Sequence, residues 1–522
     1  MSEDRKRPLA YDFDEEWDVE KALEDRQKSY QTASDRIQQQ LSSVPYNPQA
    51  PKTYAPSRRP TRKRKMNIKG WLILGGIGLV ALMLLIGLIF FIVGLFSSEE
   101  EPTTVTTTEA TEATEPTESR EDLIAEVLEK ADRLAASYDY DNAIAALHEF
   151  GGNWAQQPEL KEAQTRYLEA QSSLVRWEDT TTIPHIFFRA LIVDTDRAFD
   201  GDEDELTYNQ YMVTVDEFRD ILQSLYDGGY VLVNMHDMVK TATTESGGTE
   251  FAQGDIYLPE GKKPIVLSQE DVNYYQYRVD GPDEDALPDA EGDGFACQLL
   301  LDQNGELTCK YVDADGNIHY GAYDLVPILE EFIAEHPDFS YRGARGMLAV
   351  TGIEGVFGFQ THPDWEETLG NDAYMEQIRQ AQEVATALKE RGWEIACQSY
   401  SKISYADNDA DTIAANLKKW ENQVAPIVGK TDILVYPYGS DIAGVESYSG
   451  DKFNVLYNAG YRFFCNMDAT EYWVQLRSNY MRQARRVIDG YRLEHGADML
   501  DDLFDAAEII DEDRPRPVPT LY

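Results

Sequence analysis

An uncharged apolar run from Trp71 to Phe96 constrains this 522-residue chain more than any other feature of its sequence. The run has 26 residues and contains no Asp, Glu, Lys or Arg. A helix needs about 20 apolar residues to cross the hydrocarbon core of a bilayer. A core helix in a globular protein normally keeps a polar face, which this run lacks. We therefore expect a single transmembrane helix in residues 70–97.

Charge is divided sharply at this segment. Residues 1–69 hold 15 basic and 11 acidic residues, a net charge of +4, whereas the rest of the chain holds 32 basic and 83 acidic residues, a net charge of −51. Basic flanks stay on the cytoplasmic side of a membrane, so we expect a cytoplasmic N-terminus and an extracellular C-terminal part. The basic flank also suits anionic lipid headgroups. The acidic remainder repels phosphate backbones and excludes nucleic acid as a partner.

Composition divides the rest of the chain. Residues 1–69 are expected to form a largely disordered basic tail, and residues 98–120, rich in Thr and Glu, are typical of a solvated extracellular spacer. Residues 121–178 show apolar residues at helical spacing, similar to one tetratricopeptide-type hairpin. A single hairpin cannot bury its own apolar face, so it should pack on its neighbour. Strand and helix patterns then alternate through residues 179–522, which predicts a parallel α/β sheet or barrel.

Two local signals refine this prediction. Thr214 and Glu217 form a capping box that opens a helix. Turns at Gly305 and Gly316, set between alternating residues, predict a β-hairpin or a three-stranded ribbon inserted into the α/β pattern. Four cysteines in 522 residues exclude a scaffold built on disulfides.

Polar and aromatic residues follow three of the predicted strands, in segments 268–271, 392–402 and 436–439. In parallel α/β folds the carboxyl ends of the strands carry the site. The first segment contains Glu270 and Asp271. Adjacent carboxylates can divide labour, one binding a metal and one acting as a base. A solvated turn is the alternative interpretation of this acidic pair.

In order and spacing these segments resemble the polysaccharide deacetylases, the NodB-homology family also called carbohydrate esterase family 4. The resemblance covers about residues 180–510 and is nearest to clostridial-type, membrane-anchored members. It implies a distorted, partly open (β/α) barrel that removes N-acetyl groups from cell-surface glycans with the help of Zn²⁺. By this resemblance Glu270 stands where the family has its catalytic base, and Asp271 stands where the family has its metal-binding Asp.

The sequence departs from this family at the metal ligands. Gln398 and Lys402 stand where the family has its two metal-binding histidines. Gln is a poor Zn²⁺ ligand, and a protonated Lys is not a ligand. We therefore expect the Lys402 ammonium to pair with Glu270 and Asp271 in a site without a cofactor, with Zn²⁺ bound only if the deacetylase site is functional. The alternative is that these positions have simply drifted.

Tyrosines at the predicted strand ends offer flat faces that stack on sugar rings. The residues expected to line a substrate cleft are Tyr274, Tyr275, Tyr400, Tyr436, Pro437, Tyr438 and Gly439. The sequence thus predicts a membrane-anchored, extracellular deacetylase-like protein that acts on or binds N-acetylated cell-wall polysaccharide, with weak or lost metal-dependent hydrolysis. A non-catalytic glycan-binding or scaffolding protein of the cell envelope is the alternative, so the sequence leaves open whether the chain is an enzyme.

Overall fold

The computed structural model describes residues 119–520, apart from 152, 203, 245–246, 276–291 and 469–471. The predicted cytoplasmic tail and transmembrane segment, and nearly all of the spacer, lie outside the described residues and stay predictions. Among the described residues, no helix is both long and apolar enough to cross a membrane.

Three helices come first: α1 (Arg120–Ala136), α2 (Tyr140–His148) and α3 (Pro158–Ser172). Helix α1 begins at a capping box, in which Ser119 and Asp122 bond each other's backbone N–H groups. Helix α3 begins with a proline. Proline lacks a backbone N–H, which costs nothing here because the N–H groups of the first helical turn have no partner within the helix. The helices pack through small side chains, including Ala131, Ala143 and Ala163, so that their axes approach closely.

The larger part of the chain is built on seven parallel strands. They are β1 (His185–Phe188), β2 (Lys263–Gln269), β3 (Met347–Val350), β4 (Glu394–Cys397), β5 (Ile433–Val435), β6 (Phe463–Met467) and β7 (Met481–Val487). Around the ring the order is β3-β4-β5-β6-β7-β1-β2, and β2 pairs with β3 to close it. The α/β barrel predicted from the sequence is therefore present.

The ring is closed, although the family resemblance implied a partly open barrel. Closure rests on two register pairs, Ser268 with Met347 and Gln269 with Leu348. The first half of the same edge of β2 is taken by the extra strand Tyr230–Leu232, so β3 reaches only the carboxyl half. The β4–β5 contact is shorter still, with one register pair between Cys397 and Leu434. These short pairings explain how the barrel is both closed and distorted.

Helices cover the outside of the barrel. The longer ones are α4 (Val215–Asp227), α5 (Leu325–Glu335), α6 (Asn371–Glu390), α7 (Ala410–Gln423) and α8 (Gly450–Asn458), and the shorter ones are Thr195–Ala198, Glu205–Tyr211, Trp365–Leu369, Ala425–Val428, Gly490–His495 and Ala506–Ile509. The predicted capping box of α4 is confirmed, because Thr214 and Glu217 bond each other's backbone N–H groups. Helix α4 buries Phe218 and Leu222 completely, and burial of each such side chain stabilises the fold by roughly 1.5–3 kcal/mol.

The predicted ribbon is also confirmed, as three antiparallel strands at Gln298–Leu301, Leu307–Val312 and Ile318–Gly321. Further strand pairs were not predicted from the sequence. They join Val175–Arg176 to Tyr257–Leu258 and Val239–Thr243 to Thr249–Gln253, and strand Val474–Leu476 lies antiparallel to β7.

The first three helices pack on the barrel, as expected for a hairpin that cannot bury its own face. Tyr138 lies in the apolar cluster that fills the barrel, and its hydroxyl donates to the Asp338 carbonyl at 2.9 Å. Arg342 pairs with Asp139 and Asp141, and its backbone N–H donates to the Ser137 carbonyl. Since Asp338 and Arg342 precede β3, the helices lie toward the amino-terminal end of that strand.

Candidate functional site

Side chains of the seven strands alternate between the barrel interior and the surrounding helices. The apolar interior residues are Val266, Met347, Ala349, Ala396, Ile433, Val435, Phe463, Cys465 and Met481. Four interior positions near them are polar instead and fully buried: His185, Ser268, Gln483 and Arg485. A polar network therefore lies inside an otherwise apolar barrel, and such a network needs every member to be bonded.

Glu270 follows β2 on the same interior face as Ser268, two residues earlier. Its carboxylate is buried and pairs with the Arg485 guanidinium. Arg485 also donates to the Asn466 carbonyl at 3.2 Å and to the Ser268 hydroxyl at 3.4 Å, and its guanidinium lies 4.2 Å from the centre of the Phe187 ring. These contacts hold the Glu270 carboxylate at the carboxyl end of the barrel.

Neither Arg485 nor strand β7, which carries it, is predicted from the sequence. Strand alternation places Met481, Gln483, Arg485 and Val487 on one face of β7, so two of the four residues on that face are polar. Apolar alternation, the usual signal of a half-buried strand, is therefore weak in this segment. An arginine two residues after a buried glutamine carries no signal that would mark it as interior.

His185 connects this site to the centre of the barrel. Its Nε2 lies 2.8 Å from the Ser268 hydroxyl, and its Nδ1 lies 3.1 Å from the Gln483 Oε1. Gln483 donates its amide N–H to the Ile183 carbonyl, so its oxygen accepts from Nδ1–H and Nε2 accepts from the serine. Burial, with the nearby Arg485 charge, lowers the pKa of His185 well below its ordinary value. The imidazole is therefore neutral at physiological pH.

Asp271 turns away from the strand axis in the left-handed conformation, with φ +63°, which is uncommon for a residue other than glycine. Its carboxylate accepts a hydrogen bond from the Lys402 ammonium, and both side chains are about nine-tenths buried. The Lys402 ammonium also lies 5.3 Å from the centre of the Tyr275 ring. The predicted lysine–carboxylate pair is thus present at Asp271, whereas Glu270 is paired by Arg485.

Gln398 follows β4 directly. Its backbone N–H donates to the Val350 carbonyl at 2.9 Å, which continues the β3–β4 ladder one residue beyond the strand. Strand alternation therefore places its side chain on the interior face that it shares with Ala396. The side chain is buried, and neither the amide nitrogen nor the amide oxygen has a hydrogen-bond partner in the described part of the chain.

The donor set at this end of the barrel does not fit Zn²⁺. The carboxylates of Glu270 and Asp271 each hold a buried cation, and the two positions of the family's histidines present an amide and an ammonium. A Zn²⁺ site is built from thiolate, imidazole and carboxylate groups that are free to bind it. In the described ranges no group of three or more His, Cys, Asp and Glu residues is placed to hold a metal.

Several residues expected to line a cleft are enclosed by protein. Tyr274 is buried, its hydroxyl lies 3.7 Å from the Cys309 Sγ, and burial raises its pKa well above the ordinary value. Tyr436 is fully buried between Tyr405 and Phe464. Tyr400 is nearly buried and its hydroxyl donates to the Gln423 side chain. Pro437 is buried as well. These four residues present little or no surface to a ligand.

Three expected cleft residues are placed differently. The Tyr275 ring lies beside the Lys402 ammonium, although the side chain is buried. Tyr438 is half-buried and takes the left-handed conformation, with φ +60°. Gly439 follows with φ +69°, and a Cβ at this position would lie 2.7 Å from the Met467 Cβ. The close approach therefore requires glycine, which fixes the backbone that carries Tyr438.

Comparisons with known proteins give one structural match. No family model matches the chain, and no curated protein matches it. Among solved structures, the chain is similar to the Streptococcus pyogenes deacetylase PplD in complex with acetate. The identity is 13%, the TM-score is 0.32, and the match covers 63% of this chain and 99% of that one. A match at this level does not bear on the function of the chain.

Proposed function

We propose that the chain is a membrane-anchored, extracellular glycan-binding protein built on a polysaccharide-deacetylase-like barrel that lacks metal-dependent hydrolysis. The observation that carries the proposal is the buried ion pair between Lys402 and Asp271. The resemblance assigns a metal-binding role to Asp271, and the ammonium stands where that role would need a metal. Its ligand would be an N-acetylated polysaccharide of the cell wall.

Charge supports the absence of a metal from this site. Arg485 and Lys402 each neutralise one carboxylate at close range, and both pairs are buried. A divalent cation brought to Glu270 and Asp271 would have to displace a buried cation or stand beside it. Either event is unfavourable, because a buried charge without a partner costs several kcal/mol.

Ligand binding does not need the metal. The half-buried Tyr438 leaves part of its ring accessible after the carboxyl end of β5, and the buried Gln398 amide has no hydrogen-bond partner among the described residues. Aromatic rings stack on the apolar faces of sugars, and amides bond sugar hydroxyl and acetamido groups. The predicted anchor and the basic flank before it, which suits anionic lipids, would hold this site outside the cell.

Acetate release tests the proposal. The purified full-length chain in detergent is incubated with tetra-N-acetylchitotetraose and with acetylated peptidoglycan, in Zn²⁺, in Co²⁺ and in a chelator. We expect calorimetry to detect binding of the sugar and the assay to detect no released acetate in any of the three conditions. Metal-dependent release that Glu270→Gln abolishes would show that the chain is a deacetylase.

A variant that restores the family's ligands tests the deacetylase-like geometry separately. Gln398→His combined with Lys402→His should gain Zn²⁺ binding at a stoichiometry near one, because Asp271 then stands free beside two imidazoles. Adding Asp271→Ala should remove that gain. If the double variant binds no more Zn²⁺ than the wild type, the three positions do not converge as the resemblance implies.

A further inference from the structure

One strand of the ribbon, Ile318–Gly321, forms an open sheet edge and is called the edge strand below. It pairs with Leu307–Val312 on one side and with no other strand in the described part of the chain. Two of its side chains are large, apolar and well exposed, Ile318 at 52% and Tyr320 at 62%. Residues two apart in a strand share a face. These two side chains therefore form one exposed apolar patch.

The backbone of the edge strand is available for further pairing. The Asp313 N–H donates to the Asn317 carbonyl at 3.0 Å, so these two residues form a bonded pair at the start of the hairpin. Bonded and non-bonded pairs alternate along antiparallel strands. The backbone of His319 therefore bonds toward the ribbon, whereas the N–H and C=O groups of Ile318 and Tyr320 point to the open edge.

The edge strand lacks the charged residues that usually protect an open edge. Natural proteins cover such edges or place Lys, Pro or inward-pointing charges on them. Residues 317–321 contain no Asp, Glu, Lys, Arg or Pro. The chain carries a net charge of −47, so two copies repel each other. A strand without charged residues lowers that repulsion locally and makes a second copy an acceptable partner.

A second copy fits this edge in one antiparallel register. With His319 opposite the partner's His319, Ile318 lies opposite the partner's Tyr320, and Tyr320 lies opposite the partner's Ile318. The outward backbone groups of these residues then bond each other in both directions, as a bonded pair requires. Each such pair also sets a β-branched side chain against an aromatic one, which is a favourable cross-strand contact. A single register thus uses the free backbone groups and covers the apolar patch.

We propose that the edge strand is a self-association site, at which two copies of the chain pair antiparallel about a two-fold axis at His319 and join their ribbons into one continuous sheet. The edge strand is short, and a stable interface buries about 1,200–2,000 Å² in total, so this association is weak and reversible. It does not depend on the proposed glycan binding.

Disulfide trapping reads this register directly. The purified full-length chain in detergent, with one cysteine introduced into the edge strand, is oxidised with copper phenanthroline and run on a non-reducing gel. In the proposed pairing the Cα atoms of His319 and the partner's His319 are about 4.5 Å apart, which suits a disulfide. Those of Ile318 and the partner's Ile318 are about 8 Å apart, which is too far. We therefore expect His319→Cys to form the crosslinked dimer at least roughly tenfold faster than Ile318→Cys or Tyr320→Cys.

Controls separate this pairing from chance collisions. The four native cysteines are buried or partly buried, so the wild type measures their background. Adding Ile318→Lys to His319→Cys should remove the crosslink, because a charge on an edge strand opposes pairing. Val445→Lys, at an exposed apolar residue outside the ribbon, is the matched control and should leave the crosslink unchanged. Trapping that is equal at the three positions, that is faster at Ile318 or Tyr320, or that does not exceed the wild type would overturn the proposal.

Discussion

The ion pair between Lys402 and Asp271 gives the sharpest quantitative prediction. Both side chains are about nine-tenths buried. Removing either partner leaves a buried charge uncompensated, so Lys402→Met and Asp271→Asn should each lower the free energy of unfolding by about 3–5 kcal/mol. The double variant removes both charges and should regain most of that loss. The coupling energy of the double-mutant cycle should therefore be at least about 3 kcal/mol.

Urea unfolding of the four proteins, followed by tryptophan fluorescence, measures this coupling. A second cycle on Lys130 and Glu149 is the matched control, because that pair is more than half exposed on α1 and just beyond the end of α2. Exposed pairs contribute about 0–1 kcal/mol, so its coupling should be that small. A coupling energy below about 1 kcal/mol between Lys402 and Asp271 would refute the claim that these two side chains form a buried ion pair in the site.

Three further predictions concern histidines and the C-terminal segment. Burial lowers the pKa of His185, so the chain takes up a proton on unfolding at a pH below about 6.5. In that range the free energy of unfolding of the wild type should fall by up to about 1.4 kcal/mol per pH unit more than that of His185→Gln. Parallel curves of stability against pH for the two proteins would contradict this. Burial alone would lower the pKa of His236, but hydrogen bonds with Asp432 and Glu394 raise it to about 10. Its stabilising contribution is therefore complete below pH about 6.5 and lost as pH rises through about 10, so the difference in Tm between the wild type and His236→Gln should shrink over that range and not grow. Arg514→Met should lower the free energy of unfolding by about 3–5 kcal/mol, because it breaks a fully buried ion pair with Glu217. Arg516 lies in the same segment but is exposed, so Arg516→Met should change the free energy of unfolding by less than about 1 kcal/mol. Equal effects of the two substitutions would show that Arg514 does not hold the C-terminal segment in place.

Apolar periodicity and turn chemistry predicted much of the fold. The strand that became β2, the capping box of Thr214 and Glu217, and the three-stranded ribbon all follow from local patterns, and all are present. Closure of the ring was not predictable from such patterns, because it depends on which half of the edge of β2 the strand Tyr230–Leu232 occupies. Local sequence does not specify a pairing between segments more than thirty residues apart.

The candidate site was predictable only in part. The pairing of Lys402 with Asp271 was predictable, because a lysine stands where the resembled family has a metal-binding histidine and supplies a positive charge in its place. Arg485 was not predicted, because polar residues on an interior face weaken the alternation of apolar and polar residues that marks a strand. The burial of Tyr436 was not predicted for a related reason. An aromatic residue at a strand end faces either the helices or the solvent, depending on the register of its strand, and composition does not reveal that register.

Glycan binding in the presence of a chelator tests the central claim most directly. Calorimetric titration of the full-length chain with tetra-N-acetylchitotetraose is carried out in a metal chelator and again in Zn²⁺. We predict the same Kd in both conditions, because in the proposed site Lys402 and Arg485 supply the positive charge instead of a metal. Binding that is lost in the chelator and restored by one Zn²⁺ per chain would contradict the account.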